Sequence, residues 1–163
     1  RGVKIIYTGD DFAHKHSPMV SPAHFKELFF PALCKVMGGY KDRGLYIIKH
    51  TDGEIMSLID MIVDSGIDCL DPIDPTAGMD LAEIKKKFGD RIALKGNVDC
   101  AQTLTFGTVE QTIAESKKCI EVAGPGGGYI FSSGNSIHSA VKPENYIAMM
   151  DTHRKYGSYP IQV

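Results

Sequence analysis

The chain has 163 residues, 43% of them apolar and 23% charged, with a formal net charge of −2. That length carries one domain with one sizeable core, and the near-neutral charge gives no reason to expect a nucleic-acid partner. No run of about 18 apolar residues is present, so no membrane span is expected, and the N-terminal residues lack the apolar stretch and small-residue cleavage site of a secretion signal.

Short β-branched or apolar runs alternate with longer segments of helical period. Val3–Tyr7 reads as the first strand. A helix follows from Pro22, with Ser21 as N-cap, a stripe of Phe25, Leu28, Phe29, Ala32 and Val36, and Gly38-Gly39 as its end. The second strand is Leu45–Ile48, and its helix covers Glu54–Asp64 with Ile55, Leu58, Ile59, Ile62 and Val63 on one face. The third strand is Asp68–Leu70, followed by a helix capped by Asp80 that runs to Phe88. The fourth strand is Ile92–Leu94, after which Thr108-x-x-Gln111 reads as a capping box opening a helix to Val122. The fifth strand is Tyr129–Phe131. Pro143 starts a last helix that ends before Gly157, and Tyr159–Val163 either begins a further strand or trails off.

This alternation is the pattern of a parallel α/β sheet, either an open doubly wound sheet or a (β/α)8 barrel. A full barrel takes roughly 200–250 residues, so five to six βα units make either an open sheet or a partial barrel. The chain opens on Arg1-Gly2 directly before an apolar strand and reads as cut from something longer. Cys34, Cys69, Cys100 and Cys119 are scattered without any C-x-x-C, and read as reduced thiols of a cytoplasmic protein. Cys34 and Cys119 fall in apolar helical segments and are expected to pack in the core.

In both architectures ligands bind at the C-terminal ends of the strands. Those ends carry Gly9-Asp10-Asp11, His50-Thr51-Asp52-Gly53, Asp71-Pro72-Ile73-Asp74, Gly96-Asn97-Val98-Asp99 and Ser132-Ser133-Gly134-Asn135-Ser136-Ile137-His138. Asp, Asn and Ser also serve as turn and cap residues, and Asp52, Asp80 and Asp99 fit that role well. Histidine is a poor cap, which favours His50 and His138, and with Asp10 and Asn135 these are the candidate catalytic residues. Asp11, Asp74, Asn97 and Asp99 are candidate substrate contacts. His50-x-Asp52 has the donor types of a metal site once a third ligand, such as Asp10, Asn135 or His138, arrives from another strand end. The run Gly124-Pro125-Gly126-Gly127-Gly128 precedes a strand rather than opening a helix, so it reads as a tight turn and not as a phosphate loop. Lys85-Lys86-Lys87 reads as a solvated helix face. His14 and His16 are weaker candidates for a loop above the rim.

Four stretches, GDDFAHKHSPMVSPAHFKELFFP, HTDGEIMSLIDMIVDSGIDCLDPI, GMDLAEIKKKFGDRIALKGNVD and GGYIFSSGNSIHSAVKPENYIAMM, resemble the uroporphyrinogen decarboxylase superfamily, which includes methyltransferases that work with corrinoid proteins. The resemblance spans nearly the whole chain in family order. It implies the C-terminal part of a parallel (β/α)8 TIM barrel: one partial-barrel domain over residues 1–163, without the N-terminal half. It also implies two chemistries. The decarboxylases of porphyrin biosynthesis use no metal and carry a His where this sequence has Asn135. The methyltransferases bind zinc through His-x-Cys and a distant Cys, whose positions are matched by His50, Asp52 and Asn135. Only one of those three ligands is kept in kind, and carboxylate or amide oxygens are harder donors than thiolates. The expectation is therefore a divergent methyltransferase-like enzyme of a small methylated or carboxylated substrate, holding zinc or no cofactor. Its expected partners are a corrinoid protein and either the absent half-barrel or a second copy; the piece alone is expected to be inactive.

Overall fold

The computed structural model describes residues 2–162. Its main sheet has five strands, β1 (Ile5–Gly9), β4 (Tyr46–His50), β5 (Cys69–Asp71), β6 (Ala93–Val98) and β7 (Tyr129–Ser133), adjacent in that order and all parallel. A small hairpin of β2 (Ala13–His14) and β3 (Ser17–Pro18) rises from the loop after β1. The connections carry helices α1 (Pro22–His24), α2 (Phe30–Lys41), α3 (Ile59–Asp64), α4 (Leu81–Phe88), α5 (Thr103–Phe106) and α6 (Val109–Ala123), and α7 (Pro143–Tyr156) follows the last strand. The architecture is a partial parallel (β/α)8 barrel, so the open-sheet alternative falls away.

The helix boundaries follow from local chemistry. The Ser21 hydroxyl accepts from the His24 N–H ahead of Pro22, and Asp80 accepts from the Glu83 N–H. Thr108 and Gln111 make both bonds of a capping box. Three details differ from the sequence reading, and one is the second helix, which opens at Ile59 rather than Glu54. The first helix does not stop at Gly38-Gly39 but continues to Lys41, after a π-helical stretch at Phe25–Phe29 joins α1 to α2. Its buried side chains are Phe25, Leu33 and Met37, whereas Leu28, Phe29 and Val36 of the expected stripe are exposed. The stretch carries two apolar faces, and only the one turned to the sheet finds a partner here.

The strands end further along than local pattern indicates. β1, β4, β5, β6 and β7 run on to Gly9, His50, Asp71, Val98 and Ser133, so the polar residues expected in loops lie in the sheet. β-Alternation explains this. One face of the sheet carries Ile47, Leu70 and Leu94, fully buried under α2, α3, α4 and α6. The other, concave face carries Tyr7, His50, Asp71 and Lys95, with Ile5 57% and Tyr46 61% exposed on it. In a barrel strand these inward positions converge near the C-terminal rim, where polar groups belong to the site. Residues Tyr159–Gln162 form no strand, and Val163 lies outside the described residues. The glycine run after α6 is a turn, with Gly126, Gly127 and Gly128 at positive φ and the Lys85 amine donating to the Gly127 carbonyl.

Candidate active site

The site is assembled across one row of the sheet. Gly9, His50 and Asp71 are register partners at the ends of β1, β4 and β5, so their inward faces adjoin. Asp71 is 2% exposed and accepts three bonds. The donors are His50 Nδ1 at 2.9 Å, Lys95 Nζ at 2.5 Å and the Tyr7 hydroxyl, which also stands 3.0 Å from His50 Nδ1. Burial alone would raise the Asp71 pKa; the bonds from His50, Lys95 and Tyr7 outweigh it and hold the carboxyl below its ordinary value. The same burial and the adjacent Asp71 raise the Tyr7 phenol.

An ionised carboxylate only accepts, so Asp71 assigns the proton of His50 to Nδ1 and turns Nε2 outward. Nε2 then faces Asp52 Oδ2 at 3.5 Å and Asp11 Oδ1 at 3.9 Å. Asp52, with Asp71, raises the His50 pKa to about 9 against the effect of burial. The Asn135 amide donates to Asp52 Oδ2 at 2.8 Å, and the Asp52 N–H donates to Asp11 Oδ1 at 2.9 Å. Asp52 Oδ1 is buried without a partner.

One ligand atom each from Asp11, His50 and Asp52 lies within 4.8 Å of the others. The two separations from Nε2 are too long for direct hydrogen bonds. They approach the spacing of about 3.3 Å between donors that share one cation at bond lengths of about 2.0–2.1 Å. One imidazole and two carboxylates suit a borderline or hard divalent ion rather than a thiophilic one. The carboxylate oxygen left orphaned on Asp52 is a further donor in want of a partner. The residues present therefore fit a divalent cation, with Asp71 as the carboxylate that orients the ligating histidine.

The remaining sequence candidates divide clearly. The ligand grouping takes Asp11 rather than Asp10, whose carbonyl instead accepts from Lys49. Burial lowers the Lys49 pKa to about 8, with Asp10 and Asp11 opposing the shift. Asn135 presents its N–H to Asp52, which makes it a donor to the site. Asp52 caps no helix. Asp74 accepts from the Thr76 N–H and hydroxyl and from the Gly53 N–H, and Asp99 accepts from the Gln102 N–H; both do turn and cap work. Asn97 is buried on the convex side, donating to the Ile73 carbonyl and facing Cys119. His138 accepts from the Ala140 N–H within its own exposed loop. Tyr7 and Lys95 are site residues that the strand-end reading passed over, and Asp71, which it placed at a strand end, was not among its site candidates. A charged side chain inside a short apolar strand, as in Ala-Leu-Lys95-Gly or Cys-Leu-Asp71, is the signal that marks them.

The sequence profile of the family described as uroporphyrinogen decarboxylase (URO-D) matches residues 1–156. The chain belongs to that family. Curated uroporphyrinogen decarboxylases resemble this URO-D chain at 28% identity over 142 residues in Thioalkalivibrio sulfidiphilus and 28% over 137 residues in Psychromonas ingrahamii. Those matches cover 85% and 82% of this chain but 39% and 37% of the relatives, so it spans about two fifths of their length. Among solved structures, a methyltransferase from Methanosarcina mazei superposes with a TM-score of 0.79 at 22% identity, over 96% of this chain and 43% of that one. That likeness shows that the two chains share a fold. No helix among the described residues is long and apolar enough to cross a membrane.

Proposed function

We propose that this chain carries part of the active site of a cytoplasmic enzyme, a divergent methyltransferase-like member of the family that acts on a small methylated or carboxylated molecule with a divalent metal at the barrel rim. The convergence of Asp11, His50 and Asp52 carries the reading. His50, fixed by Asp71, would ligate through Nε2, and the two carboxylates would supply oxygen donors. A zinc ion held there supplies Lewis acidity toward a substrate oxygen or thiol. The protein's own part is to keep the imidazole oriented, to hold Asp52 with the Asn135 amide, and to keep Lys95 and Tyr7 on the concave face, where Lys95 neutralises Asp71 and Tyr7 donates to it. A corrinoid protein is the proposed methyl-group partner.

Measured zinc content and isothermal titration test this. About one equivalent of zinc, lost in His50→Ala and in Asp52→Ala, is the expected result. A protein that takes up no divalent ion yet binds a carboxylated tetrapyrrole would overturn it.

That outcome would favour the second reading, a uroporphyrinogen-type decarboxylase, which the names of the curated relatives support. There His50 and Asn135 would hydrogen-bond substrate carboxylates without a metal. In both readings the exposed concave face, with Ile5, Tyr7 and Tyr46 uncovered, calls for the rest of the barrel or a second copy before turnover. Activity appearing only when the chain is part of the longer protein, or assembled as a dimer by size-exclusion mass, is the expected behaviour.

A further inference from the structure

Lys49 neighbours His50 on β4 but points to the opposite, convex face, in the register row that otherwise continues as Leu70 and Leu94. It is 1% exposed. Its amine donates to the Asp10 carbonyl at 2.9 Å and the His50 carbonyl at 2.7 Å, and stands 4.4 Å from the centre of the Phe12 ring. Among the described residues no carboxylate lies within ion-pair distance of it. Burying an ammonium without a carboxylate costs several kcal/mol even after relaxation, so an apolar side chain in this row would serve the core better. The carbonyls it clamps are informative. One precedes Asp11, and the other belongs to His50.

Beyond these carbonyls the β1–β4 ladder has ended, and the two loops are joined side by side. The Phe12 N–H donates to the Thr51 hydroxyl at 3.0 Å, the Asp52 N–H to Asp11 at 2.9 Å, and the Glu54 N–H to the His14 carbonyl at 2.9 Å. Lys49 closes the strand end of this seam. We propose that Lys49 is a positioning residue: its ammonium draws the Asp10 and His50 carbonyls together and thereby sets the gap between Asp11 and the His50–Asp52 pair. The claim rests on the cation-site reading for its consequence, but its geometric part stands apart from it.

The test compares wild type, Lys49→Met and Lys49→Arg by Zn2+ competition titration, amide hydrogen exchange and thermal unfolding. Lys49→Met is expected to weaken Zn2+ binding about tenfold, as loss of a supporting partner commonly does. The Phe12 and Asp52 amides should exchange about tenfold faster while Leu70 and Leu94 keep their protection, since an opening confined to the seam leaves the core closed. Lys49→Arg should restore both to within about threefold, because the charge and the donors return. Unchanged Zn2+ affinity and exchange in Lys49→Met overturns the proposal. So does a uniform loss of protection through β5 and β6, a chain that fails to fold, or an Arg variant that rescues nothing, since each makes Lys49 a general strut. If wild type binds no Zn2+, the cation reading fails by itself and the exchange data decide the role of Lys49.

Discussion

Asp71→Asn is the sharpest probe of the site, because three donors converge on one buried carboxylate. Asn keeps the shape and one acceptor oxygen. It places an N–H against His50, Lys95 or Tyr7 and leaves the two cations without their counter-charge. Removing one partner from a buried charge pair costs about 3–5 kcal/mol. The Lys95 and His50 side chains are 26% and 22% exposed, so water recovers part of that. A cost of about 2–3 kcal/mol follows. For a chain of this size that lowers Tm by roughly 5–10 °C. Thermal unfolding at neutral pH reads the first quantity, and NMR titration of the His50 ring reads the second. With Asp71 neutralised, the His50 pKa should fall part of the way from about 9 toward its ordinary 6.5, because Asp52 still faces the ring. A variant that melts within about 1 °C of wild type, with His50 still titrating near 9, would refute the view that Asp71 holds the imidazole.

The metal-free protein should lose stability as pH rises through the His50 window. A raised folded pKa gives a contribution complete below 6.5 and lost by about 9. The lowered Asp71 pKa acts with the opposite sign: its contribution is present above 3.8 and fades as pH falls through the depressed value. Urea unfolding across this range checks both, and a profile flat between 6.5 and 9 would contradict the His50 assignment. Gly53→Ala should cost about 1–3 kcal/mol and loosen the site. Gly53 has φ +91°, and an added Cβ would stand 2.6 Å from the His14 carbonyl oxygen across the loop seam. Equal denaturant midpoints would show that the seam yields. Thiol labelling of the native chain should proceed first at half-buried Cys34, because Cys69 and Cys119 are buried and pushed up to about 12 and 11. Labelling at Cys69 as fast as at Cys34 would contradict the packed sheet.

The strand–helix alternation, the caps at Ser21, Asp80 and Thr108–Gln111, and His50 as the centre of the rim were legible because each is carried by neighbours in sequence. A capping bond joins residues three apart, and β-alternation repeats every two. The four cysteines, with no paired spacing, likewise read as free thiols, and the structure has them so. The strand ends were harder to place. Periodicity stops where apolar residues stop, but the strands continue through Gly9, His50, Asp71 and Val98, because inward positions at a barrel rim are polar. The stripe on the first long helix was misjudged for a related reason. Phe25, Leu33 and Met37 compete with Leu28, Phe29 and Val36, and only packing against the sheet chooses between them.

By itself, then, the sequence determined the order of elements, where most helices begin, and that polar side chains crowd one end of a parallel sheet. Tertiary structure decided which of those side chains meet. Asp71 reaches His50 across 21 positions, and Asn135 reaches Asp52 across 83. It chose Asp11 over Asp10, brought Tyr7 and Lys95 onto Asp71, and turned Asn97 away to the convex side. The physical reason is register. A shift of one residue in β1, β4, β5 or β6 would send that strand's Tyr7, His50, Asp71 or Lys95 to the other face, and pairing with neighbouring strands, not local preference, fixes that choice.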